Sequence, residues 1–362
     1  MENTGESLRC RYFDVIKGIG ILCVFMGHSF VYGTLPSRMI FNFHMPLFMV
    51  VSGLFFRYEK LDGFRAVWRR VAFGLMIPWC LFTVIDHVLR PEFHFPQWRE
   101  SPELAFLWLL HGYGGPSLWY LMCLGTVIVC AWSVYRLAAR RLAWECLWFR
   151  CGLLVVTAAT AHLVRIVPID AQFWFPFALS SVPGCIFFFF AGSFMRNRLF
   201  GFRQTLESRL GWAAVGFAVS LILLAGLSAC LNHTFDLRLA RFHVAILPMC
   251  VAGLSTVFFG AVLADHAWGL GVVLAWLGRH GLCLFAMEFP IDNVFSKVLC
   301  LCGYAVRPVP SCFEHSHLYG VFRTIVVLAV CAALVPVFER IFVLFRRLLS
   351  NGGSGRLPAT AE

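Results

Sequence analysis

Apolar runs of about twenty residues recur along this chain, separated by short polar or proline- and glycine-rich breaks. Residues 211–231 and 244–264 carry almost no charge, and helices of that length cross the roughly 30 Å hydrocarbon core of a bilayer. The pattern predicts an all-α polytopic membrane protein with about ten transmembrane helices. They are expected at about 12–32, 39–57, 67–89, 117–139, 147–167, 176–196, 210–230, 243–264, 271–302 and 319–346. The ninth is too long for one straight helix and is expected to break near Pro290, where a backbone donor is missing. The longest connection, 90–116, holds Pro91, Pro96, Pro102 and three glycines around a short apolar piece at 104–111. That piece cannot span, so an interfacial or re-entrant element is expected there. One membrane domain thus fills residues 1–348, and the Gly/Ser-containing end, 349–362, is expected to be a flexible cytoplasmic tail. The polar start, 1–10, lacks the apolar core of a cleavable signal peptide.

Composition narrows the class. Of the 362 residues 60% are hydrophobic and 14% charged, with 38 phenylalanines, which excludes an ordinary soluble domain. The net charge of +11 would suit a nucleic-acid surface, but its distribution says otherwise. With an even number of spans both termini fall on one side. That side gathers nineteen Lys and Arg residues, Arg57 to Arg70 and Arg196 to Arg209 among them, against six opposite. The positive-inside rule then puts both termini in the cytoplasm. The charge encodes topology, so the expected surroundings are membrane lipids and not nucleic acid. Fifteen cysteines are scattered singly with no C-x-x-C or other zinc spacing, so no metal is predicted. Cys300, Cys302 and Cys312 are the candidates for a disulfide.

Two spans carry ionisable groups that hydrocarbon does not favour, and such groups usually face a bundle interior or a wet cavity. In the first, Lys17 and His28 are eleven residues apart, three helical turns, and so share a face, with Asp14 on roughly the same stripe. At about 1.5 Å rise per residue His28 lies roughly 16 Å deeper than Lys17. These groups describe a path entering from the cytoplasmic end. The plainer alternative is that Lys17 snorkels to the headgroups and pairs with Asp14. The second span runs back inward, so His44, near its start, lies at about the depth of His28. Pro46 beside it would disturb local helical hydrogen bonds and splay backbone groups toward a shared cavity. Either histidine alone could instead be a core residue bonded to a backbone carbonyl.

The run Asp14-x-x-Lys17-Gly18-x-x-Ile21-x-x-Val24-x-x-Gly27-His28 resembles the opening of acyltransferase family 3. These are integral membrane O-acyltransferases, and the fucose 4-O-acetylase-like branch is the nearest in appearance. Phe43-His44-Met45-Pro46-Leu47-Phe48 followed by Ser52-Gly53 is similar to that branch's second hallmark. Leu118-Trp119-Tyr120-Leu121 resembles its L-W-F-L segment, and 187–192 its aromatic run ending in glycine. The resemblance implies about ten helices, acetyl-CoA as a donor entering from the cytoplasm, and an acceptor hydroxyl on a cell-envelope glycan or lipid-linked sugar outside the cell membrane. It makes His28 the catalytic imidazole, a general base or, less simply, a transient acyl carrier. Lys17, standing where relatives carry arginine, would hold the donor's phosphate or thioester end with Asp14 beside it, as a point charge and not a fork. His44 would hold the acceptor or polarise the thioester carbonyl, with Ser52 also lining the substrate path. One departure stands out. Leu277-Gly278-Arg279-His280-Gly281-Leu282 resembles the family's L-G-x-x-S-L, which leads to a histidine in the following turns, and this chain has Glu288 there. Glu288 would serve as proton acceptor or as orienting partner of an imidazole; the plainer reading buries it against Arg279 or Lys297. Among outer residues, Trp98, Trp119 and Trp174 are expected to be exposed and able to stack on sugars, and Arg241 and His243 to sit where a sugar docks. A transporter or flippase for a lipid-linked sugar, with the histidines as proton relay, is the competing reading.

Overall fold

The computed structural model describes residues 11–139, 143–167, 175–231, 237–238, 242–267, 269–303 and 317–351. In chain order the helices are α1 (Arg11–Ser29), α2 (Leu35–Phe41), α3 (His44–Phe55), α4 (Phe64–Val71) and, after a π-helical turn at Ala72–Met76, α5 (Ile77–Leu89). Then follow α6 (Pro91–Glu100), α7 (Pro102–His111), α8 (Trp119–Ala139), α9 (Leu147–Val164), α10 (Val182–Glu207) and α11 (Leu210–Leu231). The last are α12 (Leu247–His266), α13 (Leu270–Arg279), α14 (Gly281–Leu301) and α15 (His317–Asn351). No strand occurs among the described residues. The protein is an all-α membrane protein, and the short apolar piece expected at 104–111 is helical, forming most of α7.

Among the described residues, eight helical segments are long and apolar enough to cross a membrane, and the α13–α14 pair, bent by 81°, makes a ninth if it is one broken span. The segment expected at 176–196 forms α10, but Arg196, Arg198 and Arg203 fill its second half and leave a short apolar stretch. Much of α9 and α11 is open and apolar, with Val155, Val156, Val215 and Ile222 all exposed. Such faces are stable only against lipid.

Two expected breaks lie elsewhere. The ninth span breaks at His280, which leaves helical geometry at φ −96°, ψ 12°, while α14 continues through Pro290 without interruption. A single proline removes one helical hydrogen bond, and neighbouring helices can absorb that loss. The second span is interrupted at Asn42 and Phe43, before the proline. Pro46 is the third residue of α3, in a first turn whose N–H groups have no partner inside the helix in any case. It therefore splays nothing.

Glycines set the two crossings that hold the candidate site. A Cβ on Gly18 would sit 1.9 Å from the Leu274 carbonyl oxygen, and one on Gly278 would sit 1.9 Å from that of Asp14. Helices α1 and α13 thus touch backbone to backbone. The same close approach joins α3 to α10, through Gly53 against the Phe189 carbonyl and Gly192 against that of Val50. Around these crossings Phe13, Ile16, Leu47, Leu54 and Phe189 are fully buried.

Candidate active site

Helix α1 carries His28 in its last turn, and α14 places Glu288 two turns after the His280 break. The two side chains meet: His28 Nδ1 lies 2.8 Å from Glu288 Oε1. A carboxylate accepts, so Nδ1 donates, and Nε2 is left as the basic nitrogen of the ring. Glu288 is 3% exposed, whereas the His28 side chain keeps 25% of its surface open. Glu288 Oε2 has no hydrogen-bond partner among the described residues. It borders a cleft of about 10 Å³ lined by Phe25, His28, Phe289 and Asp292 among others. Asp292, one turn beyond Glu288, is bonded through both oxygens to the Arg323 guanidinium of α15. The carboxylate is therefore an imidazole partner and does not pair with Arg279 or Lys297; Lys297 is held by Glu92 instead, Nζ to Oε1 2.9 Å.

His44 opens α3. Its Nδ1 donates to the Ile40 carbonyl at 3.0 Å, and the ring is buried. The two imidazoles flank the Phe41 ring, with centroid separations of 5.9 Å for His28 and 5.2 Å for His44. Consecutive spans thus bring both histidines to one place, although only His28 has a carboxylate. Phe289 stacks at a tilt on His28, centroids 4.7 Å apart, and its ring also lies under the Arg90 guanidinium at 5.6 Å. Beyond Arg90, Asp86 Oδ2 bonds to His94 Nε2 at 2.7 Å.

Below this dyad is a cavity of about 350 Å³, in the size range of small-molecule sites. Lys17, Ser52, Arg70 and Tyr120 supply its polar groups, and Ile21, Phe48, Phe55, Leu121 and Phe285 much of its apolar wall. Lys17 does pair with Asp14, Nζ to Oδ1 3.3 Å, and also lies 5.1 Å over the Phe55 ring. Ser52 Oγ and the Tyr120 hydroxyl are 3.4 Å apart. Phe48, Tyr120 and Phe285 pack mutually, with centroids 5.7 to 6.4 Å apart. Phe285 lies three residues before Glu288, so the cavity ends about one helical turn short of the dyad.

Several expectations about the outer face change. Trp119 is buried at 5% exposure, beginning α8 with its ring edge-on to Tyr120, and is not an open sugar platform. Trp98 is half-buried. His243 is occupied locally: its Nδ1 accepts from the Ala245 N–H at 3.1 Å. Arg241, Trp174 and Cys312 lie outside the described residues, and Cys300 and Cys302 are free thiols. Sequence reasoning missed Arg70 and Phe285. Arg70 counts along the chain only as one more cytoplasmic charge, and Phe285 as one of many phenylalanines.

A family model described as an acyltransferase domain matches residues 11–336. No curated protein and no solved structure matches the chain. The matched range contains α1, the His28–Glu288 pair and the cavity below it. The chain belongs to acyltransferase family 3 and is a membrane acyltransferase.

Proposed function

We propose that the protein transfers an acetyl group from acetyl-CoA on the cytoplasmic side to a hydroxyl of a cell-envelope glycan or lipid-linked sugar, as in the fucose 4-O-acetylase-like branch. The observation that carries this is the 2.8 Å His28–Glu288 contact. Glu288 fixes the tautomer and stabilises the imidazolium, while Nε2 takes the acceptor's proton. As the acceptor oxygen bonds to the thioester carbonyl carbon, the C–S bond breaks and the imidazolium returns the proton to the departing thiolate. The cavity suits the donor: positive charge for phosphate, apolar walls for the slim arm, and the Ser52–Tyr120 hydroxyls for its amides or carbonyl. Bringing the thioester to His28 requires movement of at least one ring of the Phe48–Tyr120–Phe285 wall. His44, with Nδ1 committed to a carbonyl, offers Nε2 to the acceptor. Membership in an acyltransferase family favours this reading over sugar transport.

The test is O-acetyl analysis of envelope glycans in cells with and without the protein. Loss of O-acetyl groups in the null strain, restored by the wild type and not by His28→Ala, is expected. Full restoration by His28→Ala would falsify the mechanism.

A further inference from the structure

Arg70 is the penultimate residue of α4, and with Gly74 and Leu75 of the π-helical turn that follows it lines the cavity. A Cβ on Gly74 would meet nothing within 4 Å, so the π-helical turn leaves open space at that position. Arg70 is an exposed residue, and its guanidinium carbon lies 5.3 Å from the ring centroid of buried Phe56, another lining residue. No carboxylate faces it among the described residues, whereas the other cavity cation, Lys17, is already matched by Asp14. The cavity thus holds one uncompensated positive charge, and that charge is on Arg70. An unmatched cation at the edge of a low-dielectric cavity favours an anionic ligand. Guanidinium also presents the planar fork suited to phosphate, which Lys17 lacks.

We infer that Arg70, and not Lys17, is the phosphate anchor of this cavity, holding the phosphate or pyrophosphate of the thioester donor while Lys17 stays paired to Asp14. The inference rests on the thioester-donor reading above. The same chemistry could be supplied by a phospholipid headgroup, so both sources enter the test.

The experiment is calorimetric titration of CoA into the full-length protein in phosphatidylcholine nanodiscs, with a parallel titration of pantetheine, which lacks the nucleotide phosphates. Arg70→Gln is expected to weaken CoA about 10–100-fold and leave pantetheine unchanged, as loss of a charged bidentate contact implies. Arg70→Lys should fall between, and Lys17→Gln should weaken CoA less than Arg70→Gln does. Equal CoA affinity in wild type and Arg70→Gln overturns the assignment and leaves the acyl-transfer reading standing. An effect of Arg70→Gln only on retention of added phosphatidylglycerol overturns it in favour of a lipid headgroup. Failure of the wild type to bind CoA at all sinks the donor reading itself.

Discussion

His28 and Glu288 are 260 positions apart in sequence and 2.8 Å apart in space. Removing the charge from Glu288 while keeping its shape isolates its role. Glu288→Gln still accepts a hydrogen bond through its amide oxygen but no longer stabilises an imidazolium. The expected result is a fall in kcat of about a hundredfold or more with KM for the donor little changed. Steady-state kinetics on purified protein decides this, with the melting temperature as the check that the variant is folded. A change confined to melting temperature would make Glu288 structural. The histidines were readable one at a time because an imidazole within an apolar run is conspicuous. Their inequality was not, since the carbonyl that occupies His44 and the carboxylate that serves His28 are supplied by the fold.

At the scale of the element, the glycines of α1 and α13 do what no side chain in those positions allows. Because a Cβ on Gly278 would lie 1.9 Å from the Asp14 carbonyl, any larger residue must push the two helices apart. Gly278→Val is therefore expected to destabilise the protein by about 1–3 kcal/mol and to lower activity, since the same shift moves Lys17 and the break before α14. Gly152→Ala is the control, as its added methyl meets nothing within 4 Å. Thermal unfolding in detergent should separate the two; matching melting curves would count against the crossing as described. Helix existence was legible from apolar run length, because about twenty apolar residues leave a membrane chain little choice. The position of breaks was not. Prolines mark where a helix can lose a bond, but helical geometry is interrupted at Asn42–Phe43 and at His280, and it continues through Pro290.

For the whole molecule the question is parity. Eight segments and one bent pair make nine crossings; adding α10 makes ten and returns the C-terminus to the side of the N-terminus. Ten crossings are the arrangement that yields the nineteen-to-six distribution of Lys and Arg, and on that arrangement both ends are predicted to be cytoplasmic. Reporters fused at each end, active on one side of the membrane only, measure this directly. Opposite readings at the two ends would make the number of crossings odd and leave α10 on the membrane surface. By itself the sequence determined that the chain is helical, lies in a membrane and bears the opening motif of an acyltransferase. Those properties depend on composition and local spacing, which the chain carries without folding. Only the tertiary structure decided that Glu288 is the partner of His28, that Lys17 is committed to Asp14, and that Arg70 turns into the cavity. Each of these is a meeting of distant segments, set by backbone contact at glycine crossings and not by any spacing along the chain.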